Sequence, residues 1–189
     1  MKKLITAGVD EVGRGCLAGP VVSAAVILKK NINLKLLKDS KKISFKKREE
    51  ICKHIKNNAY YAIGIASVDE ILNLNILQAS LLSMKRAIKK LTEKPNLILI
   101  DGIFAPAGLK KYKTIINGDK KIKVISAASI VAKVYRDKLM IELSKKYSHY
   151  AWESNFGYGT KAHLYGLRKF GVTVHHRKAF KPVHNILSS

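Results

Sequence analysis

Apolar positions along this chain follow two different periods. Residues 3–9 (KLITAGV) and 18–28 (AGPVVSAAVIL) are small, β-branched and apolar, and predict two strands. Gly13, Gly15, Gly19 and Pro20 punctuate the stretch between them, which predicts a hairpin. Residues 29–43 carry charge, two asparagines and the run KDSKKIS, and read as a loop. Ser44 can cap a helix from Phe45 to about Lys56, although Lys47 stands where a capping box wants Glu. Residues 59–67 (AYYAIGIAS) predict a third strand. Over 68–90, Ile71, Leu74, Leu77, Leu81, Met84 and Ile88 recur at three- and four-residue spacing, the apolar stripe of a helix, and Pro95 closes the segment. The run LILI at 97–100 suits a strand covered on both faces. A further strand is expected at 112–117 (YKTIIN), the longest late helix at 124–146, and one more helix at 161–170 before a loose basic tail. This order predicts an α/β chain with one mixed sheet. No repeat, linker or break in composition divides it. One domain over 1–189 is expected, with a sheet-and-helix core to about 147 and a C-terminal helical part and basic tail over 148–189.

Charge adds a partner to this picture. The 189 residues hold 36 Lys plus Arg against 13 Asp plus Glu, a net charge of +23. Such an excess implies a polyanion, with a lysine-rich proteome as the plain alternative. Only six of the cations are Arg, so backbone contact is favoured over reading of base edges. No apolar run is long enough to span a membrane, and the N-terminal stretch is too short and mixed for a secretory signal. Cys16 and Cys52 form no CxxC pair, which argues against a disulfide framework and for a reducing cytoplasm.

Against this background the placement of acids is informative. Asp10 and Glu11 follow the first strand, Asp101 follows LILI, and Asp119 follows TIIN. Carboxylates just past apolar strands gather at one edge of a sheet, where open α/β folds place their sites. Such a cluster repels itself unless cations neutralise it, and Mg²⁺ or Mn²⁺ suits an all-oxygen set. For Asp101, which precedes Gly102, an ordinary turn is an equal reading. A basic surface with an acidic pocket points to a metal-dependent nuclease; an inactive nucleic-acid-binding module is the rival. The glycines at 13, 15 and 19 do not fit the dinucleotide fingerprint, and a strand rather than a helix follows them.

The block DEVGRG at 10–15 with AGPVVSAAVIL behind it resembles ribonuclease HII. Further blocks follow in order: KDSKKIS (38–44), NILQASLLSMKRAI (75–88), LIDG (99–102), NGDKKIKVISAASIVAKVYRD (117–137), GYGTKAHLYGL (157–167) and HHRKAFKPV (175–183). The resemblance covers nearly the whole chain. It implies a ribonuclease H-like mixed sheet flanked by helices, with a small C-terminal helical extension. It implies an endoribonuclease that cuts the RNA strand of RNA/DNA hybrids and incises 5′ of single ribonucleotides in duplex DNA. It also implies two divalent ions, Mn²⁺ or Mg²⁺, on Asp10, Glu11, Asp101 and Asp119. Asp137 is the rival of Asp119, with an i,i+4 pair to Lys133 as its structural reading. The same resemblance gives recognition of the ribose 2′-hydroxyl to the backbone of Gly13, Arg14 and Gly15, and a sugar contact to Tyr158. Phe156 departs from the family's usual Lys, so one phosphate contact is expected to be missing.

Other substrate contacts are read from spacing. Ser126, Ser129 and Lys133 fall at i, i+3 and i+7 near a helix N-terminus and could cradle phosphate, or simply pack on the sheet. Ser40 and Lys41 could hold the opposite strand. His175 and His176 beside Arg177 read as basic tail surface. The chain is expected to act as a monomer on RNA/DNA hybrid and ribonucleotide-containing duplex, away from membranes.

Overall fold

The computed structural model describes residues 4–30, 32–33 and 44–188. Five strands, β1 (Thr6–Val12), β2 (Val21–Leu28), β3 (Ala59–Ala66), β4 (Leu97–Asp101) and β5 (Tyr112–Ile115), form one sheet in the order β3-β2-β1-β4-β5. β1 pairs antiparallel with β2 and parallel with β4; β2–β3 is antiparallel and β4–β5 parallel. The sheet is therefore mixed, and its topology reverses between β1 and β4, the place where α/β sheets open a crevice.

Seven helices complete the described fold: α1 (Phe45–Asn57), α2 (Val68–Lys89), α3 (Gly118–Lys121), α4 (Lys123–Lys146), α5 (Trp152–Asn155), α6 (Lys161–Phe170) and α7 (Lys181–Leu187). Side chains alternate across β1. Ala7 and Val9 pack with Met84 and Ala87 of α2 on one face, while Val12 joins the α1–α4 cluster on the other. Gly8 faces α4 so closely that a Cβ there would meet the Val124 carbonyl, which brings α4 directly over β1. A third cluster, around Trp152, Tyr150, Met140 and Leu167, joins the C-terminal helices to Leu17 and Ala18. Among the described residues no helix is long and apolar enough to cross a membrane.

Three expectations need correction. The 68–90 helix is interrupted at Asn75, where φ is +67°. The Asn75 side chain accepts from the Leu77 and Gln78 N–H groups and so caps the second half as a new helix. The second strand starts at Val21, not 18. Residues 18–20 bend away, with Ala18 bridging His176 and the carbonyls of all three held by buried guanidinium groups. The tail is not loose: α7 follows and buries Val183. Ser44 caps α1 as expected, accepting from the Lys47 N–H.

Candidate active site

The geometry of the site follows from strand register. Val9 of β1 lies opposite Ile100 of β4 in a parallel pair. One residue on, Asp10 and Asp101 stand level on adjacent strands, about 4.8 Å apart between backbones by ordinary strand spacing. Asp101 ends β4, but Asp10 and Glu11 lie within β1, which runs on to Val12 in its pairing with β2, rather than past the first strand as expected. Both point to the α4 face, because Val9 and Ile100 face α2. Glu11, one step further along β1, turns to the α2 face, where it meets a groove with Leu77, Met84 and Ile103. Asp101 borders that groove as well as a cleft of about 390 Å³ lined by Asp10, Glu11, Asp101, Ser129, Lys133 and Tyr158 among others.

Arg14, Arg48 and Lys133 also line the cleft, but burial outweighs them at the two acids of β1. Burial first, then the neighbouring Glu11 and Asp101 carboxylates, push the Asp10 carboxyl well above the usual range, against hydrogen bonds from Ser129 and the Glu11 N–H. Burial also raises Glu11, opposed by Arg14, whose Nη1 lies 3.2 Å from Oε1. The other oxygen, Glu11 Oε2, is buried with no hydrogen-bond partner. Asp101 Oδ1 accepts from the Gly118 N–H at 2.6 Å. That bond seats α3 beside β4, with Asn117 in the left-handed region (φ 54°) making the corner. Asp119 is the next residue and is buried, but it does not line the cleft. Asp137 is fully buried on α4 and engaged by Lys133, Nζ to Oδ1 at 2.6 Å, with Arg48 at 3.9 Å from Oδ2. Its structural reading as a helix ion pair is what the fold contains.

Comparison with known proteins turns this geometry into an identity. The family model described as Ribonuclease HII matches residues 7–183. The chain belongs to the ribonuclease HII family. It is 58% identical over 185 residues to the Ribonuclease HII of Pelagibacter ubique (strain HTCC1062), covering 97% of this chain and 99% of that one. The crystal structure of ribonuclease H2 from Pyrococcus horikoshii OT3 superposes with a TM-score of 0.79 at 25% identity, covering 98% of each chain. Bst-RNase HIII, solved in complex with Mn²⁺, shares the fold at a TM-score of 0.73 and 18% identity, over 98% of this chain and 70% of that one. The chain is thus a ribonuclease H, an endonucleolytic hydrolase of the RNA strand in RNA/DNA hybrids.

Residues expected on the substrate side of this ribonuclease HII are partly gathered. Gly13, Arg14, Gly15, Ser129, Lys133 and Tyr158 line the cleft. Ser126 is buried and lies off it, while Ser40 and Lys41 fall outside the described residues. Lys133 Nζ sits 4.6 Å over the Phe156 ring and 5.8 Å over Tyr158. Phe156 also stacks on Phe45, so together they form an aromatic wall beside Lys133. The Tyr158 hydroxyl reaches inward to the Cys16 thiol.

The reading of 175–177 as basic tail surface is overturned. His176 and Arg177 are about 1% exposed and His175 is half-buried against Tyr147. The cause is the long-range bridge to Ala18, which draws the tail into the Trp152 cluster. Arg177 donates to the Gly19 and Arg14 carbonyls, and Arg136 to those of Ala18, Pro20 and Phe156. These two guanidiniums, with Arg48 and His163, are the site-forming residues that sequence reasoning missed.

Burial, then the neighbouring His163 and His175 imidazoles, holds His176 down to about 3. Folded His176 is therefore neutral where the unfolded chain protonates near 6.5. Its stabilisation is whole above that value and is lost as pH falls toward 3. The thermal midpoint should drop between pH 6.5 and 4, and drop less steeply in His176→Gln. Parallel slopes for the two proteins would reject this.

Proposed function

We propose that this chain, besides cutting hybrid RNA, incises duplex DNA on the 5′ side of single embedded ribonucleotides, with two divalent ions, Mg²⁺ or Mn²⁺, held by Asp10, Glu11, Asp101 and Asp119. The observation that carries this reading is the level pair Asp10 and Asp101 on neighbouring parallel strands, beside a buried Glu11 oxygen without a partner. These oxygens fit a hard cation: crowding and burial oppose their charge, and a divalent ion would relieve both. Among the described residues no three acidic, imidazole or thiol side chains are already assembled as a closed metal site. Mg²⁺ usually rests on one or two carboxylates plus phosphate oxygens, so substrate would supply the remaining ligands. Asp119 is preferred over Asp137 as the fourth ligand because it directly follows Gly118, whose N–H is bonded to Asp101, whereas Asp137 is paired with Lys133 on α4.

What such ions supply when bound is an activated water for in-line attack and charge stabilisation at the leaving 3′ oxygen. The chain's own residues do the rest. Ser129 and the Glu11 N–H fix the Asp10 carboxylate. Arg177 draws the Arg14 carbonyl inward. Because a trans peptide is planar with its N–H opposite its C=O, the Gly15 N–H then faces outward, toward the cleft that Gly15 lines. A fixed donor there can meet a 2′-hydroxyl and has no deoxyribose counterpart. The basic surface supplies sequence-independent attraction. In this reading the protein acts on the duplex as a lone chain in the cytosol, a reducing compartment that its two buried free thiols suit.

A labelled duplex with one ribonucleotide, beside its all-DNA twin, tests this reading. We expect scission only of the first, leaving 3′-hydroxyl and 5′-phosphate ends, and none with EDTA. Equal cutting of both would mark a different nuclease of this fold. Salt-sensitive binding without scission in Mg²⁺ or Mn²⁺ would mark a binding module.

A further inference from the structure

Behind Tyr158 lies a buried polar chain that the mechanism does not use. His163 and His176 are each about 1% exposed or less, and their Nε2 atoms are 3.1 Å apart. Both tautomers can be worked out from fixed partners. His163 Nδ1 lies 2.9 Å from the Tyr158 carbonyl, which only accepts, so Nδ1 carries a proton. Neutral His163 is then bare at Nε2, where the Trp152 indole N–H donates at 3.0 Å. His176 Nδ1 accepts from the Thr173 N–H at 2.9 Å, so that nitrogen is bare and its Nε2 is protonated. The two independent assignments agree: His176 Nε2–H donates to His163 Nε2. The chain runs from the Thr173 N–H through two neutral rings to the Tyr158 carbonyl, with the one Nε2 lone pair of His163 shared between the Trp152 and His176 N–H groups. Protonating His163 would set three N–H groups against one another, in line with the downward shift that burial gives both rings.

The end of the chain matters most. The Tyr158 carbonyl also accepts from the Thr160 N–H at 2.8 Å, and the Gly157 carbonyl from the Leu17 N–H at 2.8 Å. The loop carrying Tyr158 is thus tied to the glycine loop on one side and to the imidazoles on the other. We propose that His163, oriented by His176, is a positioning residue for ribose recognition: it holds the Tyr158 backbone so that the ring stands over the cleft. This rests on the reading of Tyr158 as a sugar contact.

The test is a double-mutant cycle on the full chain, at a temperature where circular dichroism shows every variant folded. The readout is kcat/KM on duplex with one embedded ribonucleotide. His163→Leu should lower it by about 10- to 100-fold, the scale of a misplaced binding group. His163→Asn, which retains a donor at the Nδ1 position, should recover most of that loss. In a Tyr158→Ala background His163→Leu should cost less than about threefold more, because the group it positions is gone. An equal cost in both backgrounds overturns the proposal and leaves the Tyr158 reading intact. A Tyr158→Ala protein as active as wild type overturns both. Nitrogen-15 spectra of the unaltered protein give an arm that needs no variant. They should report His163 protonated at Nδ1 and His176 at Nε2 throughout pH 5.5–8, and any other tautomer pair overturns the relay.

Discussion

Asp10→Asn should abolish cleavage of hybrid RNA, by about 10³-fold, with duplex affinity changed less than about threefold. The substitution is nearly isosteric. Its Oδ1 can still accept the Glu11 N–H, so the end of β1 keeps its shape. What disappears is one negative oxygen of the level pair with Asp101. Affinity resides elsewhere, in a chain with net charge +23. A second consequence separates loss of a metal ligand from loss of fold. The Asp10 charge is opposed by burial and by Glu11 and Asp101. Removing it should raise the thermal midpoint in EDTA, while Mg²⁺ should raise the midpoint of the wild type and barely move that of the variant. Calorimetry with and without Mg²⁺ measures this beside the cleavage assay. An Asp10→Asn enzyme that still cuts within about tenfold of wild type would remove Asp10 from the metal centre.

This pair of carboxylates was legible because each closes an apolar run, which is a local feature, although β1 continues two residues past Asp10. Its register was not. That Asp10 stands level with Asp101 depends on β1 pairing with β4 across ninety residues of chain, which no local pattern encodes. Asp119 was legible as an acid after an apolar run, but the single helical turn that carries it follows a left-handed Asn117 and has no periodicity to detect. The interruption of α2 was hidden for the opposite reason. The apolar stripe continues through Asn75, and only the side-chain cap of Asn75 reveals two helices. The C-terminal segment misled through composition. HHRK has the look of solvated charge, yet His176 and Arg177 are buried because their partners are backbone groups and rings far away in sequence. The pair of Lys133 and Asp137, four residues apart on one helix, was legible because that pairing is local.

Arg136→Met should be strongly destabilising. The Arg136 side chain is fully buried, and its donors go to carbonyls: Nε to Pro20 at 3.0 Å, Nη1 to Phe156 at 2.7 Å and Nη2 to Ala18 at 2.8 Å. A Cβ on Gly13 would run into this guanidinium, so the glycine loop is wrapped around it. Met fills most of the volume but donates nothing, which leaves three carbonyls without this donor, that of Ala18 buried and those of Pro20 and Phe156 part-buried. At about 1–3 kcal/mol for each buried acceptor, partly relieved by relaxation, the net cost should be about 3–5 kcal/mol. For a chain of this length that lowers the thermal midpoint by about 10 °C. Arg136→Lys, with one compact ammonium, can serve one or two of the carbonyls and should fall between wild type and Met. Urea denaturation of the three proteins gives the order, and a loss under about 1 kcal/mol for Met would show that the carbonyls find other donors. The same bonds join residues 18–20 to the loop bearing Tyr158. Cleavage of ribonucleotide-containing duplex should therefore fall in Arg136→Met even at temperatures where the fold survives, because the two loops that must meet the ribose together are no longer held to one another.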